Sequence, residues 1–240
     1  MESYERWQDY ISDVVKEVHR LIAYHIDRGG NLTEGQIIDL NKDVQLKVEK
    51  IEQPNALVDS LFPDGLSAAG VMYISDIEAD MPESEHAECR LANGRPLALW
   101  DEARAALGST ANHIIEYNLE LIRRLHFPDK LSRFQAFYCL EDLSAFLDWP
   151  ELTNTLQEKA KLFEIELEDS SYSRLDSRLL QGGVATPDIG FDYWFSPLWN
   201  YQSAMDYWSG AFSGNPRFEL LARFPIKIGR EIPLERAMSR

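Results

Sequence analysis

Between Ala204 and Ile232 the chain changes its hydrophobic period, so any fold it adopts must place a helix, a loop and two strands there in quick succession. The segment reads AMDYWSGAFSGNPRFELLARFPIKIGREI. A short amphipathic helix ends in Tyr207, Trp208 and Gly210, a Gly/Pro-containing loop comes next, and Phe218–Phe224 and Ile226–Ile232 are apolar runs of strand length. Glu219 stands at the start of the first run. A carboxylate there is either a solvated rim residue or a charge placed to meet a developing positive charge.

The rest of the chain supplies more short elements of both kinds. Apolar residues at Trp7, Tyr10, Ile11, Val14, Val15, Val18, Leu21 and Ile22 predict an N-terminal helix over Tyr4–Ile22, with His19 beside its charged face. Ala23–Ile26 then reads as a short strand, Gly29-Gly30 as a turn and Gln36–Leu40 as an extended piece. Asn41–Glu52 is predicted helical, ending before Pro54. Leu61–Ile74, with Pro63, Asp64, Gly65 and Gly70, reads as turns leading into a short strand, Val71–Ser75, and the acidic Asp76–Glu88 reads as a surface loop. Residues 97–127 form a central helical segment, expected in two pieces because Gly108 interrupts the pattern and Ser109 or Thr110 can cap the second piece. Arg123-Arg124 in its last turn suit the helix dipole.

Beyond it, Arg133–Cys139 alternates like a strand, Glu141–Leu147 reads as a short helix and Lys161–Glu168 as another strand. Ser170–Leu180 is polar and helix-like, Gln181–Asp188 is a Gly/Pro loop, and Phe191–Trp199 concentrates aromatics as a core corner or a stacking surface does. Strands and helices in such mixed order, without regular strand–helix alternation, predict an α+β fold. At 240 residues and 45% hydrophobic content the chain is expected to form a single domain, residues 1–240. Neither GxGxxG nor a P-loop sequence occurs, which disfavours Rossmann and phosphoryl-transfer sites.

Charge narrows the function. Forty acidic against 24 basic residues give a formal charge of −16, which argues against broad electrostatic capture of a nucleic acid and leaves room only for a local basic groove. Cys89 and Cys139 form no metal-ligand spacing with any histidine and are expected to be reduced thiols. The polar first residues and the lack of a ~20-residue apolar run predict a soluble cytoplasmic protein with no membrane partner.

Three separated pieces, in order, resemble a poorly characterised bacterial family grouped with the ADP-ribosyltransferases. They are Tyr24-His25-Ile26-Asp27-Arg28 with Leu32, Gly35 and Ile38; Phe127-Pro128-Asp129-Lys130-Leu131-Ser132-Arg133-Phe134 with Glu141-Asp142; and Ala204-x-x-Tyr207-Trp208-x-Gly210 leading to Glu219. The resemblance implies a split pair of small antiparallel sheets around a cleft that holds NAD as substrate. It places Tyr24, His25 and Arg28 on the ribose and diphosphate side, and Ser132 and Arg133 on the middle strand. Tyr207 and Trp208 fall near the nicotinamide, and Glu219 is the catalytic carboxylate. The Ser-x-Ser pattern of the middle strand is absent here, where Ser132-Arg133-Phe134-Gln135 stands. A macromolecular acceptor, protein or nucleic acid, is implied, as is a toxin or phage-defence role under an inhibitory partner. A basic lip of Arg123, Arg124, Lys130 and Arg133 would serve a nucleic-acid acceptor.

The chemistry suits the residue set. Breaking the nicotinamide–ribose bond passes through an oxocarbenium-like state and releases a neutral base, so one carboxylate suffices and no metal is needed. Arg28 and Arg133 offer bidentate donors to a diphosphate. Each of these residues also has a plain structural role open to it: His25 at a strand edge, Arg133 paired with a carboxylate, Tyr207 and Trp208 in a core, Glu219 facing solvent. A non-catalytic binding module on the same fold and an NAD glycohydrolase are the competing functions.

Overall fold

The computed structural model describes residues 20–44, 54–74, 99–148, 159–180 and 197–238. In chain order the elements are β1 (Arg20–Asp27), β2 (Ile37–Ile38), α1 (Pro54–Leu61), α2 (Ala68–Ile74), α3 (Leu99–His126), β3 (Ala136–Leu140), β4 (Lys161–Glu168), β5 (Tyr172–Asp176), α4 (Pro197–Ser209), β6 (Phe218–Arg223), β7 (Ile226–Lys227), β8 (Glu231–Ile232) and α5 (Glu235–Met238). The architecture is α+β. Where one domain is expected, the contacts divide the chain into two compact units. The first takes in residues up to Asp39, Phe137–Arg174 and everything from Phe218; the second is Leu40–Ala136 with Leu175–Arg217.

The first unit is built on a six-stranded sheet of order β5-β6-β3-β1-β4-β8, beside a two-stranded sheet of β2 and β7. β1 runs antiparallel to β4 from Arg20 opposite Glu168 to Asp27 opposite Lys161, and antiparallel to β3 with Tyr24 opposite Leu140. Alternation then sorts the side chains onto two faces. Ala23, Phe137, Cys139, Phe163, Ile165, Leu167, Leu220 and Ala222 form one buried cluster, closed by Ile226 and Ile228. Ile26, Leu140, Leu162 and Ile232 form another, covered by Phe146 and by Ala237 of α5. Away from that cover the second face carries the ion pairs Arg20–Glu166 and Arg230–Glu164.

Several boundaries depart from the sequence reading. Arg20–Ile22 belong to β1 rather than to the end of an N-terminal helix, because pairing with Glu166, Leu167 and Glu168 overrides their helical spacing; residues 4–19 lie outside the described residues. Arg133–Gln135 form a 3-10 turn capped by the Ser132 hydroxyl, and the strand starts only at Ala136. Tyr172–Asp176 is a strand where a helix is expected, and Ile226–Ile232 is broken into β7 and β8.

The second unit is mainly helical. α3 continues through Gly108 as one helix of 28 residues, since a single glycine costs only about 1 kcal/mol against alanine. Asn41–Val44 are not helical, and the remainder of that expected helix and the acidic loop at 76–88 lie outside the described residues. Pro54 opens α1 at the position where proline's missing N–H costs nothing. Ala68–Ile74 is α2 rather than a turn and strand: the Ser67 hydroxyl accepts the Gly70 N–H at 3.1 Å, an N-terminal cap. α2 brings Val71, Tyr73 and Ile74 against Val44, Val58, Phe62, Leu66 and Phe134.

Gly70 sits where the helix touches backbone. A Cβ there would lie 2.1 Å from the Phe134 carbonyl oxygen. Gly70→Ala is therefore expected to destabilise the second unit by about 1–3 kcal/mol, since overpacking against backbone outweighs the roughly 1 kcal/mol gained in helix propensity. A denaturant midpoint at or above the wild-type value would contradict the close contact. Among the described residues no helix is long and apolar enough to cross a membrane.

Candidate functional site

The eight residues singled out by the resemblance fall into two groups, one in each unit. Tyr24, His25, Arg28 and Glu219 belong to the first; Ser132, Arg133, Tyr207 and Trp208 belong to the second.

In the first unit β1 presents Tyr24 and His25 to opposite faces. His25 stands opposite Phe163 and its ring lies 4.2 Å from that of Phe137, on the face of Ala23 and Cys139. Its Nδ1 is 2.8 Å from the Tyr138 carbonyl oxygen, which can only accept, so Nδ1 carries the proton and Nε2 is left as an acceptor. Burial pushes the imidazole below its ordinary value, against the pull of that carbonyl and of Asp27, so the ring is neutral near pH 7. Asp27 is occupied in the adjoining turn, accepting the N–H groups of Gly29 at 3.0 Å and Leu32 at 2.6 Å. Arg28 is exposed at that turn.

Glu219 lies on β6, separated from β1 by β3. It is 3% exposed. Leu220 and Ala222 belong to the cluster on the His25 face, so alternation turns Glu219 to the other face, the one shared with Tyr24 and Leu140. The strand period of two thus puts Tyr24, not His25, on the face of the carboxylate. Tyr138, half-buried on the intervening β3, alternates onto that face as well. Sequence reasoning missed it, although its position two residues before Leu140 in an alternating strand carries the signal.

The second unit holds a buried polar network. Arg133, 3% exposed, donates from Nε and Nη2 to the two carboxylate oxygens of Glu116 at 2.7 and 2.8 Å, and from Nη1 to the Tyr207 hydroxyl at 2.7 Å. Tyr207 packs edge-on to Trp208 at 4.8 Å, and the Trp208 indole N–H donates to the Leu119 carbonyl at 2.9 Å. One turn along α3, Glu120 accepts from Arg123, from Arg124 and from the Ser132 hydroxyl, at distances of 2.7–2.9 Å. Burial alone would raise the Glu120 carboxyl, but these donors outweigh it and hold it below the usual carboxylate range. Arg123 also donates to the Pro128 and Lys130 carbonyls, and Arg124 to that of Leu61.

The four residues assigned to a middle strand and nicotinamide clamp are thus drawn together by α3 and α4 and used in packing. The basic lip does not form, because Arg123 and Arg133 are buried and ion-paired. Their carboxylate partners, Glu116 and Glu120, were hidden among solvated helix charges, although the i, i+4 spacing of Glu120 and Arg124 is a readable pairing signal. Among the described residues no group of three His, Cys, Asp or Glu side chains is arranged to hold a metal. Burial pushes the Cys139 thiol far up, away from thiolate chemistry.

A family model described as "Protein of unknown function (DUF2441)" matches residues 23–233. The chain belongs to this family. In this DUF2441 member the matched span runs from within β1 to just beyond β8, and so takes in both groups of residues. No curated protein matches the chain.

Proposed function

We propose that this protein cleaves the nicotinamide–ribose bond of NAD and transfers ADP-ribose to a macromolecular acceptor, a protein side chain or a nucleic-acid base. The observation that carries the reading is the Glu219 carboxylate, buried at the start of β6 on the sheet face that also bears Tyr24 and Tyr138. A carboxylate held out of water is worth most to a developing oxocarbenium ion, and phenols on the same sheet face suit ribose hydroxyls. A ligand lying on that face meets Tyr24 in the role that the resemblance gives to His25, and His25 then braces β1 against β3.

Incubation with NAD is expected to release nicotinamide and to label an acceptor. Glu219→Gln should lower release by at least about 100-fold, the usual cost of removing one preorganised electrostatic group. Tyr24→Phe should weaken it, and His25→Gln should affect stability more than turnover. Release from wild type that survives Glu219→Gln would refute the assignment. Release without any labelled acceptor would make the protein a glycohydrolase instead.

A second reading is favoured by the internal use of Ser132, Arg133, Tyr207 and Trp208: a non-catalytic module in which the cleft has lost turnover. It predicts no nicotinamide release and no thermal shift with NAD or ADP-ribose.

A further inference from the structure

α3 is apolar on two opposite faces, and one of them is turned to solvent. Leu119 and Ile122 are buried within the second unit, where the Leu119 carbonyl accepts the Trp208 indole N–H. Ile114, Tyr117, Leu121 and Leu125 stand at i, i+3, i+7 and i+11, which at about 100° per residue keeps them within about 80° of one another on the outward side. All four are exposed, Leu125 to 74%. A surface helix normally turns charge to water opposite its apolar stripe, so a second stripe in that place marks a second partner.

α4 extends this surface. Its Asn200 side chain accepts the Asn118 side-chain N–H at 3.1 Å beside the stripe, and the Tyr201 hydroxyl lies 3.3 Å from Nε2 of His126, the residue after Leu125. Tyr201 is exposed as well, and Leu198, one turn before it, is 84% exposed. These six large side chains, about half exposed on average, present on the order of 600 Å². A standard interface takes roughly 800 Å² from each partner, about 65% of it apolar where two copies of one chain meet, so a stable dimer needs about 500 Å² of apolar surface.

Charge selects the partner. The chain carries −16, yet the carboxylates of α3 between Ile114 and Leu125 are Glu116 and Glu120 alone, both buried and bonded to arginines inside the unit. A cationic partner drawn by the acidity of the chain finds no carboxylate on this stripe, whereas a second copy meets it without opposing like charges. We propose that α3 packs antiparallel against α3 of a second copy about a two-fold axis, with Leu121 at the axis and Tyr117 of each copy against Leu125 of the other. The surface lies in the second unit and is independent of the NAD reading.

Sedimentation equilibrium of the full chain should give twice the chain mass at about 100 μM, because interfaces of this size hold with micromolar or tighter affinity. Leu121→Glu sets two carboxylates at the axis and should give the monomer mass at that concentration with an unchanged far-UV circular dichroism spectrum, since the position faces water in a single chain. Leu125→Glu should weaken association at least tenfold. Under mild oxidation Leu121→Cys should form disulfide-linked dimers, while Ile37→Cys, 70% exposed on β2, should not. A monomeric wild type would assign the surface to a different protein and overturn the pairing. So would a dimer that survives both glutamate variants, or cross-linking of Ile37→Cys as readily as of Leu121→Cys.

Discussion

Replacing Arg133 with methionine is expected to destabilise the second unit by about 3–5 kcal/mol, the range found when one partner of a buried ion pair is removed. The loss arises chiefly from what is left behind. Glu116 would be left in a buried site without the bidentate donor that satisfies both its oxygens, and the Tyr207 hydroxyl would lose the donor at 2.7 Å. Replacing both members of the pair, Glu116→Gln with Arg133→Met, should recover most of the stability, because removing both charges together leaves no buried charge unpaired. Tyr207→Phe should cost only about 1 kcal/mol, the net worth of one hydrogen bond. Urea denaturation of the four proteins measures all of this. An Arg133→Met protein within about 1 kcal/mol of wild type would mean that the guanidinium is held in reserve for a ligand.

That experiment turns on a difference which single residues in the sequence cannot carry. Ser-Arg beside an apolar run is compatible with a ligand-binding strand and with a capped turn feeding a buried ion pair. The deciding partner, Glu116, lies 17 positions upstream on a helix whose other carboxylates look solvated. Elements with a clean period were legible: Lys161–Glu168 is a strand with the bounds that its alternation implies, and α4 ends at Ser209 with Gly210 in the left-handed region at φ 81°. Elements decided by long-range contact were not. Leu21 and Ile22 fit a helical stripe, yet a full antiparallel register with β4 claims them. Polar Tyr172–Asp176 lacks strand alternation, and becomes a strand by pairing at the sheet edge. The site obeyed the same rule. Glu219 could be placed at the start of a strand from its neighbours, but the face it points to depends on β3 and β1, and that face is the one of Tyr24 and not of His25.

Glu120→Ala is expected to cost as much as the loss of Arg133, about 3–5 kcal/mol, because this one carboxylate satisfies Arg123, Arg124 and the Ser132 hydroxyl that caps the turn before β3. The same donors set a pH dependence. Its folded-state pKa lies below the unfolded value of about 4.3, so the unfolded chain binds more protons through that interval, and stability is present above it and lost as the pH falls through the folded value. Asp176 acts in the same direction: burial opposes ionisation, but the donors supplied by Ser213, Arg217 and Arg178 more than compensate. His25 opens a separate window in the first unit. Its folded pKa is depressed below about 6.5, so protonation of the unfolded chain draws stability away as the pH falls from that value toward the folded one. Stability measured from pH 8 to pH 3 should thus decline in two stages. His25→Gln should flatten the first, and a Glu120→Gln chain should start lower and lose less in the second. A wild-type profile flat between pH 7 and pH 5 would contradict the neutral, half-buried histidine, and an unchanged acid limb in Glu120→Gln would remove Glu120 as its source.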